Sequence, residues 1–251
     1  MFSIKKEEDG VFQEYAYRAK VNHDPIDEIA KDGLTNRGKI VQGNNGYWYR
    51  LPGNEEKLWS TSMRKILYVT KDPNDDSAWD MREETGRKNK ETSIRVTSLF
   101  YKGYMRINYL LHNTTDKYHP TYEEADEHKL TFYEKQAVVR INIKKQPGKG
   151  TLKNQDLKRW LNIYGDIITK QIHIYAPNII YCAGGSSIIR EYITKHYLKV
   201  DSFQKVNDWI YYSEKENITV IDGYHFSYRS HIREHYEELA QSYQVFLKEH
   251  M

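Results

Sequence analysis

The rhythm of apolar positions along this chain changes near residue 65. Before that point the sequence is polar and broken. Asp24-Pro25, followed by IDEIAK and Gly33, reads as a short helix with an aspartate cap, proline at its first position and a glycine stop. GKIVQ and GYWYRL flank Asn45-Gly46, a dipeptide suited to tight turns, and predict a hairpin or a paired extended segment. From Lys65 onward, short apolar runs alternate with helical periodicity. KILYVT (65–70), QAVVRINI (136–143), NIIYCA (178–183) and ITVIDGYH (218–225) predict four strands. Leu157, Trp160, Leu161, Tyr164, Ile167 and Ile168 recur at helical spacing and predict a helix over about 153–172. Ile188, Ile189, Tyr192 and Ile193 predict another helix after the third strand. Ser230 caps a last helix, with Ile232, Tyr236, Leu239, Tyr243 and Leu247 on one face. Residues of about 80–135, which hold FYKGYMRINYLL and TYEEADEH, resist assignment by pattern.

Strands alternating with helices predict an α/β fold with a mainly parallel sheet covered on both faces. The organisation expected is an N-terminal elaboration, residues 1–61, packed on a core domain of residues 62–251. Ligands of such sheets bind beyond the carboxyl ends of the strands. All four predicted strands run there into polar loops: KDPNDD, KKQPGKG, GGSS and HFSYRS.

Composition narrows the class. The 251 residues are 39% apolar and 14% aromatic, enough to build a core and to exclude general disorder. One cysteine, Cys182, excludes a disulfide framework and points to a reducing compartment; set in a strand interior, it reads as a buried, inert thiol. No apolar run is long enough to span a membrane, and MFSIKKEEDG turns acidic before a signal-peptide core can form. A cytoplasmic protein is expected. The net charge of +3 says little about partners, but its distribution says more. Between Arg140 and Arg159, seven cations (Arg140, Lys144, Lys145, Lys149, Lys153, Lys158, Arg159) face one anion, Asp156, a net +6 within twenty residues. On a ligand face such a stretch suits a phosphate backbone; the plainer reading is a solvated loop and helix face.

The loops admit several chemistries. Read as a calcium loop, KDPNDD would offer Asp72, Asn74, Asp76, Asp80 and Glu83 at ligand positions. However, Ser77 stands where a glycine is required and a strand, not a helix, leads in. Asp72, Asp75, Asp76 and Glu83 could instead hold a metal for nuclease chemistry. Asp72 could also act singly at its strand end, as a general base or water-orienting carboxylate, or the loop could be no more than a helix-capping turn. GGSS at a strand-to-helix junction offers backbone N–H groups to an anion. His225 ends the fourth strand at the same sheet edge as Asp72. Asn142 is a polar residue in an otherwise apolar strand, which implies a partner for its amide.

Taken in order, KDPN (71–74), RINIKKQPG (140–148), PNIIYCAGGSS (177–187) and YHFSYRS (224–230) resemble the motifs of the uracil-DNA glycosylase superfamily, over roughly residues 62–248. The resemblance implies a three-layer α/β/α sandwich with a short, mainly parallel central sheet, and hydrolysis of an N-glycosidic bond in double-stranded DNA without metal or cofactor. It implies that Asp72 orients water and stabilises the sugar cation, and that His225 hydrogen-bonds the departing base. Asn142 would read the base edge and Trp79 would stack on it, with Lys71 and Asn74 at the pocket mouth. Gly185, Ser186, Ser187 and Ser227 would grip phosphates, aided by Lys144, Lys145, Gly148 and Lys149, while Tyr228 or Arg229 fills the gap left in the duplex. This chain departs from the pattern in three places. Asn74 replaces the tyrosine that in the uracil-specific branch walls off C5 of the base. Phe226 replaces the proline after the histidine, and Lys71 replaces a residue that is usually uncharged. The open C5 side is compatible with an antiviral branch that removes glucosylated hydroxymethylcytosine from phage DNA, a substrate expected ahead of plain uracil. A repair enzyme acting on uracil or mismatched thymine, a metal-dependent nuclease and a non-catalytic nucleic-acid-binding module are the competing readings. A monomer is expected.

Overall fold

The computed structural model describes residues 3–25, 29–44, 46–73, 77–84, 98–148, 152–184, 186–198 and 202–250. In chain order they form α1 (Ile4–Val21), β1 (Gly33–Leu34), β2 (Ile40–Gln42), β3 (Trp48–Arg50), α2 (Glu55–Thr61) and β4 (Ile66–Thr70). A short 3-10 turn (Met81–Glu83) precedes α3 (Leu99–Asn113), α4 (Tyr122–Tyr133), β5 (Val139–Asn142) and α5 (Asn154–Tyr175). β6 (Ile179–Ala183), α6 (Ile188–His196), β7 (Gln204–Lys205), β8 (Ile210–Ser213), β9 (Ile218–Gly223) and α7 (Ile232–His250) complete the chain. None of the described helices is long and apolar enough to cross a membrane.

The four predicted strands are β4, β5, β6 and β9. Every residue of β4, β5 and β6 is buried, which is why these segments read as near-continuous apolar runs rather than alternations. They pair in parallel in the order β5-β4-β6-β9. Antiparallel strands extend both edges, β1 beside β5 and then β8 and β7 beside β9, giving β1-β5-β4-β6-β9-β8-β7. One face carries Leu67, Val69, Val139 and Ile141 against Tyr15 of α1, Leu157 and Ile168 of α5, and Ile193 of α6. The other carries Ile66, Tyr68 and Tyr181 against Met105 and Leu110 of α3, Ala125 of α4 and Tyr243 of α7. The result is the expected three-layer α/β/α sandwich.

The N-terminal residues depart from expectation. Residues 29–32 form no helix, Gly33 opens β1, and residues 26–28 lie outside the described residues. The Asp24 carboxylate accepts from Tyr164 Oη (2.6 Å) and Arg159 Nη2 (3.0 Å), tying this segment to α5. The helix of this region lies upstream, in α1, whose buried residues Ile4, Glu8, Val11, Phe12, Tyr15 and Ala19 form one stripe. A glutamate in that stripe masks its amphipathic pattern. The elaboration shares the core, since β1 joins the sheet and α1 packs on α5. The hairpin expected around Asn45-Gly46 is present as β2 against β3, with Asn45 itself outside the described residues. In the unassigned middle, α4 begins at a capping box: Thr121 Oγ1 accepts from Glu124 N–H while the Glu124 carboxylate accepts from Thr121 N–H.

His112, in the last turn of α3, packs on Phe132 with ring centroids 5.4 Å apart. Burial, reinforced by the Arg64 guanidinium, lowers its pKa to about 4. The unfolded chain therefore binds a proton that the folded chain refuses as pH falls from about 6.5 towards 4. His112→Phe is expected to gain melting temperature relative to the parent protein as pH falls through that window, measured by paired thermal melts. A difference independent of pH contradicts this.

Candidate active site

The sheet topology opens a crevice at its carboxyl edge. From β4 the chain departs to α3 and α4 on one face; from the adjacent β6 it departs to α6 on the other. Such a switch point leaves a gap between the diverging exits. A cleft of about 860 Å³ lies there. Its walls are Lys71 and Asp72 after β4, Gly184, Ser186 and Ser187 after β6, and Tyr224, His225, Ser227 and Tyr228 after β9, with Leu152 ahead of α5. Residues far apart in sequence meet because parallel strands end at one edge.

Gly184 brings two strand exits together in the cleft wall. Its N–H donates to Gly223 O (2.8 Å), zipping the β6 and β9 exits together. Its φ is +80°, and a Cβ there would lie 3.1 Å from that of His225, so a side chain meets both conformational strain and a neighbour. The HFSYRS loop is anchored by Phe226, which is buried and stacks on Tyr181 (5.4 Å between centroids), while Gly103 of α3 touches the Phe226 backbone. An aromatic anchor thus fixes this loop.

His225 is partly buried, and its Nδ1 accepts the Ser227 N–H at 3.3 Å. Burial lowers its pKa, and Lys71 and Arg140 lower it further, so the ring is held neutral with its proton on Nε2. Asp72 shows the opposite balance. Burial raises its pKa, while the ammonium groups of Lys144 and Lys71 pull it down. The cleft therefore presents a carboxyl beside two cations and a neutral imidazole N–H donor. Ser186 and Ser187 both adopt left-handed backbone, with φ of 50° and 62°. Ser186 Oγ accepts from Asn154 Nδ2 (3.1 Å), and Ser187 Oγ donates to Ser186 O (2.7 Å).

Several residues expected at the site lie elsewhere. Asn142 is 1% exposed; its amide donates to Asp32 Oδ2 (3.2 Å) and Met81 Sδ (3.2 Å) and accepts from Thr70 Oγ1, so it is committed within the protein and cannot read a base as placed. Lys145 is fully buried with its Nζ 2.7 Å from Asp32 Oδ1, and touches no solvent-borne phosphate. Trp79 lines neither the cleft nor the smaller cavity behind His225; its carbonyl accepts from Lys31 N–H (3.2 Å). Gly148 and Arg229 also lie off the cleft wall. Asn74, Lys149 and Gly185 lie outside the described residues, as do Asp75 and Asp76. The basic stretch is weaker than its count suggests. Arg140 is buried over the rings of Phe100, Tyr101 and Tyr104, and Arg159 pairs with Asp24. Of the calcium-loop ligands, Asp80 is bound by Arg82 (2.7 Å) beside Lys31, and a strand leads into the loop. No group of three His, Cys, Asp or Glu side chains poised for a metal occurs among the described residues. Cys182 is a free thiol buried in β6, and burial pushes its pKa well up.

Of the aromatic rim, the sequence singled out only Tyr228. Tyr224 stacks on His235 (3.8 Å) and Tyr228 (4.9 Å), with Trp209 at 5.4 Å; Tyr224, Tyr228 and Trp209 border the cleft. Phe100 stands 5.8 Å from His225. Trp209 and Phe100 come from segments whose position depends on the antiparallel edge and on α3, neither of which the strand pattern revealed. Asp222, on the cleft floor, is paired with Arg190 Nε at 3.1 Å. In comparisons with known proteins, no family model and no curated protein sequence matches the chain.

Proposed function

We propose that the protein is a monofunctional DNA glycosylase that hydrolyses the N-glycosidic bond of a flipped-out modified pyrimidine and leaves an abasic site. One observation carries the reading most of all: Asp72 and His225 face the same carboxyl-edge cleft from different strand exits. Excision of a base needs the nucleotide out of the stack and in a pocket. As the bond breaks, positive charge grows on the sugar and negative charge on the departing base. The Asp72 carboxylate orients the attacking water and stabilises the sugar cation. The His225 Nε2–H donates to a base oxygen as charge accumulates there, an interaction strongest in the transition state. The neutral state of His225 suits this role, since its burial disfavours the imidazolium. Ser186, Ser187 and Ser227 contact the phosphates beside the flipped nucleotide, and Tyr228, 43% exposed at the rim, stacks in the duplex gap.

The cleft of about 860 Å³ is roomy enough for a flipped nucleotide whose base carries a bulky C5 substituent. Asn74 in place of a blocking tyrosine points the same way. Glucosylated hydroxymethylcytosine of phage DNA is the substrate we favour, ahead of uracil.

The test is incubation of end-labelled duplexes carrying uracil, hydroxymethylcytosine or its glucosylated form. At least one, with the glucosylated base preferred, is expected to yield sites cleaved by alkali only, unaffected by EDTA. Breaks without alkali that vanish in EDTA would instead support a metal-dependent nuclease. Salt-sensitive binding with intact DNA would support a non-catalytic module.

A further inference from the structure

We propose that the buried Asp32–Lys145 pair is a positioning device, which holds the turn after β5 in register with the end of β4 that carries Asp72. The inference rests on the catalytic reading of Asp72 but is testable apart from it. Both side chains are fully buried. Lys145 Nζ donates to Asp32 Oδ1 (2.7 Å) and to Asn142 O (3.3 Å). Asp32 also accepts from Asn142 N–H (2.7 Å), Asn142 Nδ2 (3.2 Å) and Gln171 Nε2 (2.9 Å).

The turn is held from below by the N-terminal segment. Lys145 N–H donates to Tyr15 Oη (3.2 Å), Ala30 N–H donates to Lys145 O (2.9 Å), and Gln146 Nε2 donates to Pro25 O (3.2 Å). From above, the same turn clasps the end of β4. Ile143 N–H donates to Thr70 O (2.9 Å) and Lys144 N–H to Lys71 O (2.8 Å), immediately before Asp72. The Lys144 ammonium, in turn, donates to Pro147 O (3.3 Å).

Stability is a poor reason for such a pair. Removing two charges from water is costly, and well-packed apolar residues of similar volume often serve stability as well or better. What a hydrogen-bonded ion pair adds is a fixed register, here between β5 and the Asp72 loop. Among the described residues, the charged and titratable groups around Asp72 are Lys71 in its own loop, Lys144 from the β5 exit, and His225, Asp222, Asp208 and Glu238 across the cleft. Of these, Lys144 is the cation carried by the turn that the buried pair holds.

The experiment is a carbon-13 NMR titration of the Asp72 carboxyl in the full chain, read beside kcat and KM for excision. Lys144→Met, which removes the ammonium, is the reference and raises the Asp72 pKa. The double variant Asp32→Asn, Lys145→Met removes both buried charges yet leaves Lys144 in the sequence. It is expected to raise the Asp72 pKa by at least half the reference shift and to lower kcat at least fivefold with KM within twofold. If it does not fold, Tyr15→Phe loosens the same turn and is expected to shift Asp72 in the same direction. A wild-type Asp72 titration in the folded double variant, or in Tyr15→Phe if the double variant does not fold, overturns the proposal, as does an Asp72 titration that Lys144→Met leaves unmoved. A shift in Asp72 without excision from any DNA would remove the glycosylase reading and leave the positioning role standing.

Discussion

Replacing Asp72 by asparagine is expected to lower base excision by about 10²- to 10⁴-fold while leaving DNA affinity largely unchanged, the range typical of a positioned acid–base or charge-stabilising group. The substitution keeps the size and shape of the side chain. What it removes is the negative charge that faces the sugar as the glycosidic bond breaks and that aligns water for attack. Binding in the ground state draws chiefly on phosphate contacts, so affinity measured by fluorescence anisotropy should stay within a few-fold. Loss of the carboxylate also removes a group whose pKa burial raises and Lys144 and Lys71 lower. An acidic limb in the kcat profile of the parent protein, absent from the residual activity of the variant, is therefore part of the same expectation. Wild-type single-turnover rates in Asp72→Asn would remove this residue from the chemistry.

The second large effect concerns stability. Arg82 bridges α1 and the segment ahead of the 3-10 turn: its Nη1 lies 2.8 Å from Glu8 Oε2 and its Nη2 2.7 Å from Asp80 Oδ2. Its guanidinium also sits over Phe12, 5.4 Å from the ring centroid. Glu8 is fully buried and additionally accepts from Leu34 N–H (2.7 Å) and Tyr175 Oη (3.0 Å). Arg82→Met fills much of the same volume but takes from the buried Glu8 carboxylate its hydrogen-bonded cation, leaving only the nearby Lys5, a loss on the order of 3 kcal/mol. At about 2–4 °C per kcal/mol for a chain of this size, the melting temperature falls by on the order of 10 °C.

The pH dependence has a definite sign. Burial already raises the Glu8 pKa, and losing Arg82 raises it further. A folded state that holds a proton more tightly than the unfolded chain is relatively favoured at low pH. The deficit of Arg82→Met should thus be full at neutral pH and shrink as pH falls towards the unfolded carboxylate value. Adding Glu8→Gln to the variant should recover a large part of the loss at neutral pH. A single variant as stable as the parent, measured by chemical denaturation, contradicts this account of the buried pair.

The parts of the fold legible in the sequence are those where burial is two-sided and continuous. β4, β5 and β6 are visible because all their residues are buried, and α5 because its apolar stripe is uninterrupted by charge. α1 is hidden by Glu8, a charge inside the stripe that Lys5, Arg82, Tyr175 and the β1 backbone make tolerable. The short antiparallel strands β7 and β8 carry too few residues to show a period. The site follows the same logic. Lys71, Asp72, Ser186, Ser187, His225, Ser227 and Tyr228 meet at one cleft because each directly follows a parallel strand or starts the next helix. Lys145 and Asn142 share that sequence neighbourhood but turn inward, because the partner of both is Asp32, brought from the N-terminal segment by β1. The polar residue in an apolar strand did require a partner. Nothing within its own segment could say that the partner was internal.

The most direct measurement is mass spectrometry of the free bases released when the purified protein acts on genomic DNAs that differ in cytosine modification. The account predicts an intact free base, its C5 substituent still attached, with abasic sites left in a continuous strand and at least about 10²-fold less of either with Asp72→Asn. Release of nucleotides in place of free bases, or no released base from any of the DNAs with folded protein, would contradict it.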